Sequence, residues 1–109
     1  PSFVHDLKKF HPDLYKIHQK TKEKLFVKSL KKVIINGKKE GLIRSEINDD
    51  IIPKLRIEMI EAGFNQDVFP QNKYDYLNIQ IISFDLFLRG IITPKGLTIY
   101  EKTLKTLKP

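Results

Sequence analysis

Cysteine and tryptophan are absent from the 109 residues, methionine occurs once and glycine five times. Without a thiol there is no disulfide, no thiolate zinc or iron–sulfur site and no cysteine nucleophile, which agrees with a reducing compartment. No run has the length and apolarity of a membrane helix, because the most apolar stretch, Tyr76 to Ile92, is interrupted by Asn78, Gln80, Ser83, Asp85 and Arg89. No secretory leader is expected, since Phe3-Val4 gives way at once to His5-Asp6. The expected location is therefore the cytoplasm, with no membrane contact. Sustained period-two alternation is lacking, which argues against strands. There is no nucleophile elbow, no glycine-rich phosphate loop after a strand and no pair of acids in an apolar setting, so neither an enzyme activity nor a cofactor is expected.

What is present is one small globular domain, 40% hydrophobic and 30% charged, with 20 Lys+Arg against 13 Asp+Glu and a net charge of +7. Much of the excess lies between Lys8 and Lys39, where only Asp13 and Glu23 oppose the lysines. Lys16, Lys20, Lys24, Lys28, Lys31 and Lys32 follow a helical stripe opposite the apolar one, which reads as a solvated face. A phosphate-contacting surface would more often mix arginine and aromatics with the lysines.

Five segments carry helical periodicity, and the expected class is an all-α antiparallel bundle of about five helices. Pro1 suits a first helical position, and Phe3, Val4, Leu7 and Phe10 line one face up to His11-Pro12. A second helix begins at Pro12-Asp13, carries an inward row of Leu14, Ile17, His18 and Leu25, and runs to about Glu40, with Gly41 as its left-handed cap. Leu42 and Ile43 then tuck the connection into the core. A cap at Asp50 starts a third helix, Ile51 to Phe64, and Asn65 to Asp75 forms a polar connection. Asp75 caps a fourth helix through Arg89, expected to be buried. Thr93-Pro94 opens a fifth with a stripe of Leu97, Tyr100, Leu104 and Leu107.

The third and fourth helices have more apolar surface than a small domain can cover. Lys54, Glu58 and Glu61 fill one narrow sector of the third, with Ile52, Leu55, Met59 and Ala62 on one side and Ile57, Ile60 and Phe64 on the other. In the fourth, Asn78, Asp85 and Arg89 share a thin strip within an otherwise apolar surface. The surplus points to an isologous homodimer, with Arg56, Ile57, Ile60, Phe64, Ile82, Asp85, Leu86 and Arg89 as the expected interface. Arg56 falls in the middle of an apolar arc, so a carboxylate partner is expected in Asp85 or Glu61, within the chain or across the interface; the alternative is a side chain that snorkels to the edge.

The order Phe3-Val4-His5-Asp6-Leu7-Lys8-Lys9-Phe10-His11-Pro12, then Lys39-Glu40-Gly41-Leu42-Ile43-Arg44 before Ile47-Asn48, resembles the C-terminal domain of TetR/AcrR-type transcriptional regulators. So does the ending Phe87-Leu88-Arg89-Gly90-Ile91-Ile92-Thr93-Pro94-Lys95-Gly96-Leu97, and the resemblance spans essentially all 109 residues. It implies a cytoplasmic effector-sensing and dimerisation domain whose last two long helices pair with their copies in a four-helix bundle. The chain would begin near the family's sixth helix, and DNA would be contacted only through an N-terminal helix-turn-helix domain not contained in it. In such regulators a ligand shifts the spacing of two recognition helices, which must match half-sites about one helical turn apart.

For a small apolar effector, the expected pocket residues are Tyr15, His18, Phe26, Met59, Phe64 and Ser83, a mostly apolar lining with few polar handles. His5, His11 and His18 do not make a metal site, because Pro12 separates two of them and no acid stands at ligand spacing from His18. A different class of function also fits the composition: a stand-alone helical interaction module whose basic surface binds an acidic partner.

Overall fold

The computed structural model describes residues 2–107, apart from the side chains of Ser2 and Val4; the expected roles of Pro1 and Val4 lie outside the described residues. Five helices follow one another: α1 (Ser2–Phe10), α2 (Pro12–Lys39), α3 (Ile51–Gly63), α4 (Tyr76–Ile91) and α5 (Pro94–Leu107). The protein is all-α, and the single β-type pairing among the described residues is an isolated antiparallel bridge between Ile43 and Ile92.

Local chemistry sets the helix ends. Pro12 occupies the first turn of α2, where a missing N–H costs nothing. The helix stops where Gly41 takes φ 72°, a left-handed conformation that a side chain would strain. α3 starts after Asp50 as expected, but the capping side chain is that of Asn48, two residues earlier: Asn48 Oδ1 accepts from the N–H groups of Asp50 (2.9 Å) and Ile51 (2.8 Å). Asp50 instead sits 3.6 Å from the Lys54 ammonium. Its backbone is already α-like there, so its own carboxylate is not presented to the first-turn amides. Asp75 accepts from Leu77 N–H at 3.2 Å, as expected, and α4 continues to Ile91, two residues beyond the expected end.

A clasp holds the middle of the chain. Thr93 Oγ1 accepts from Gly96 N–H (3.1 Å), capping α5, and donates to the Gly41 carbonyl (2.7 Å) at the end of α2. Thr93 N–H donates to Leu42 O (3.0 Å) and Arg44 N–H to Ile91 O (2.9 Å). Gly96 faces the Leu42 carbonyl so closely that a Cβ would overlap it. Around this clasp lies the core: Ile34, Ile43, Phe87 and Ile91, flanked by Leu30, Ile47, Ile52, Met59, Leu88 and Ile92.

Elsewhere the helices are open. The radius of gyration is 16.7 Å, with extents of 48 × 31 × 25 Å, whereas a compact chain of this length has about 13 Å. The row expected to face inward from the first half of α2 is solvent-facing: Leu14, Ile17 and Leu25 are exposed, Ile17 by 61%. α1 is too short to cover that row, and α3 meets this half only along another face, at Gln19, Lys22 and Glu23. Nor is α4 buried as expected. Phe87 and Ile91 point into the core, while Leu77, Ile81, Ile82, Phe84 and Leu86 are exposed. No helix among the described residues is long and apolar enough to cross a membrane.

Candidate functional site

The face of α3 that enters the core is centred on Arg56, which is only 6% exposed. Helical spacing places Arg56, Ile60 and Gly63 along that face, with Glu58 and Glu61 on the far side. Neither expected carboxylate reaches the guanidinium. Asp85 projects from the outer strip of α4, where Arg89 Nε donates to both of its oxygens (3.1 and 3.0 Å) and the Tyr100 hydroxyl donates at 2.7 Å. These hydrogen bonds, Tyr100 first and Arg89 second, hold the Asp85 carboxyl below its ordinary pKa. Glu61 faces Glu23 of α2 across an outer groove; desolvation, Glu23 and Glu58 raise its pKa. Snorkelling does not occur either, since Arg56 stays buried.

Instead Arg56 Nη1 donates to Ser83 Oγ at 2.9 Å, and its guanidinium lies 5.5 and 5.4 Å from the ring centres of Phe84 and Phe87. Burial pushes its pKa below the usual guanidinium value. Aromatic faces offset part of the lost hydration, without a neutralising charge.

Two apolar cavities meet at this residue pair. One, about 450 Å³, lies between α3, α4 and the 64–75 connection; Met59, Phe69, Tyr74, Ile82, Ser83 and Leu86 line it. The other, about 310 Å³, lies between α2, α3 and α4, lined by Phe26, Leu30, Val33, Arg56, Ile60, Phe84 and Phe87, with Ser29 its one hydroxyl. Donor and acceptor of the Arg56–Ser83 bond thus border different cavities.

The six residues expected to form a pocket are divided by this arrangement. Met59 and Ser83 share the larger cavity. Phe26 borders the smaller one and, with Phe64, a third groove between α2 and α3. Phe64 also meets Tyr76 edge-on, with ring centres 5.5 Å apart. Tyr15 and His18 stand apart on the projecting half of α2, Tyr15 under the Lys8 ammonium at 5.6 Å. The expected interface divides as well: Ile57 and Ile60 face α2, whereas Ile82 and Leu86 are exposed, Leu86 by 67%.

Sequence reasoning missed Phe69 and Tyr74, which it assigned to a polar connection. Their rings pack edge-on, centres 5.3 Å apart, and wall the larger cavity. Two aromatics within a turn-rich segment were the available signal. Among the described residues, no three His, Asp or Glu side chains converge as a metal-ligand set. Comparison with protein-family models, curated proteins and solved structures gives no match to the chain.

Proposed function

We propose that this chain is the effector-sensing and dimerisation domain of a TetR-like, cytoplasmic transcriptional regulator, a repressor released by a small ligand with an apolar body. Operator binding is assigned to a helix-turn-helix domain outside these 109 residues. The resemblance of three sequence segments supports the family, and the all-α order of elements is compatible with it.

The observation that carries the dimer is surface area. The chain exposes 8536 Å², whereas a compact monomer of its mass exposes about 6,300 Å². The excess is more than the roughly 800 Å² per partner that a standard interface buries. Part of it is the apolar arc of α4, where Leu77 and Ile81 flank one side of the polar strip and Ile82 and Leu86 the other. A second copy seated there would cover the apolar flanks and leave Asp85 and Arg89 paired at the seam.

Ile82 and Leu86 also wall the larger cavity, so a ligand there and a partner subunit would touch the same side chains. That shared wall gives the two binding events a route to energetic coupling. Sedimentation equilibrium tests the reading: a dimer is expected at micromolar concentration, converted to monomer by Leu86→Glu. A chain that stays monomeric at about 100 μM, an affinity too weak for a constitutive dimer, would overturn it.

A further inference from the structure

We propose that the cavity between α2, α3 and α4 is an organic-anion site, taking a monocarboxylate with an apolar body whose carboxylate seats on Arg56. This rests on the sensing reading above and specifies the ligand's chemistry.

A guanidinium largely withdrawn from water calls for a counter-charge or several acceptors, because desolvating an ion is costly unless it is paired. Among the described residues Arg56 has neither: no carboxylate lies within ion-pair distance, and Ser83 Oγ is its one hydrogen-bond acceptor. No fully buried side-chain nitrogen lacks a partner there, so the remaining guanidinium N–H groups border the open space of the cavity. Phe84 and Phe87 lie against the guanidinium and the Ser83 bond engages Nη1, which fixes the cation in place. A fixed planar fork of donors matches a carboxylate in two-point contact.

The walls decide the rest of the ligand. Apart from Arg56 and the Ser29 hydroxyl the lining is apolar, so one negative charge is matched and a second would be left unpaired. At about 310 Å³ the space lies at the small end of ligand cavities. That suits a medium-chain aliphatic or single-ring body. Entry is through the side where Phe26, Val33 and Phe84 are partly exposed, Val33 by 58%.

Octanoate and octan-1-ol, equal in chain length and different in charge, test the assignment by calorimetric titration of the 109-residue chain. Octanoate is expected to bind saturably and octan-1-ol about tenfold or more weaker, the difference made by a charged hydrogen-bonded pair. Arg56→Met should abolish that preference, and Val33→Trp, a change at an exposed rim position, should weaken octanoate by filling the cavity. Acetate should bind far more weakly than octanoate; equal binding would mean a simple anion site and would overturn the apolar half of the proposal. Octan-1-ol binding as well as octanoate, or no octanoate binding at about 10 mM, a concentration above any useful affinity, would overturn it entirely. Should Arg56→Met fail to fold, the wild-type comparison and Val33→Trp still decide. A monomeric chain in sedimentation defeats the dimer reading without touching these titrations, and failed titrations leave a measured dimer standing.

Discussion

The two ends of α2 carry similar apolar periodicity and meet opposite fates. At its C-terminal end Ile34 is 0% exposed, enclosed by Ile43, Phe87 and Ile91. Toward its N-terminal end Leu14, Ile17 and Leu25 stand in solvent. The difference is what returns to each end. Residues 41–44 and 90–96 come back to the first through the clasp at Thr93, whereas α1 and one edge of α3 reach the second without covering this row. An apolar stripe shows which face a helix would bury. It does not show that the same chain supplies the cover.

The strongest way to break this comparison is truncation at both ends of α2. Ile34→Ala should cost about 2–4 kcal/mol in denaturant unfolding, because the site is fully enclosed and a cavity would remain. The same change at Ile17 should cost about 0.5 kcal/mol or less in a monomeric sample; equal losses would show that the first half of α2 is covered after all. Thr93→Val removes the cap of α5 and the bond to Gly41 together, with an expected loss of about 1–2 kcal/mol and faster amide exchange at Gly96, whose N–H the hydroxyl accepts. Gly41→Ala places a side chain at φ 72° and should cost about 1 kcal/mol.

Acidity sharpens the contrast at lower amplitude. Asp85 has its folded pKa depressed by Tyr100 and Arg89, so its contribution is present above its unfolded pKa and lost as pH falls through the lower folded value. Asp85→Asn should therefore flatten the acid limb of the pH–stability profile. Glu61 runs the other way: its folded pKa is raised, so the folded chain keeps a proton that the unfolded chain releases first, and stability falls as pH rises between the two values. Glu61→Gln should remove that small slope, read from thermal midpoints across mildly acidic pH.

Helix boundaries were largely legible because they depend on local chemistry. Pro12, Gly41, Asp75 and Thr93-Pro94 each act on neighbouring amides, and the structure uses each as read. The capping side chain is that of Asn48 and not of Asp50; both are cap-forming types within three residues, and only the backbone conformation separates them. Burial was less legible, as α4 shows: its sequence demands cover on several sides, and one chain provides cover on one. The candidate site was half visible. The position of Arg56 within an apolar arc follows from helical spacing, but its partner could not, since the reach from Asp85 depends on which side of α4 faces α3. Met59 and Ser83 fall together at the larger cavity, while Tyr15 and His18 would join them only if all of α2 packed inward.

The clasp also has a kinetic meaning. The bridge between Ile43 and Ile92 closes a loop of about 50 residues that contains all of α3 and α4, and closing such a loop costs about 3–4 kcal/mol of chain entropy. An α3–α4 hairpin can form earlier from nearby contacts, so the slow event in refolding is expected to be the meeting of these two short, distant segments. Substitutions at Ile43 or Ile92 would then slow folding, whereas those at Phe69 or Tyr74 would mainly hasten unfolding.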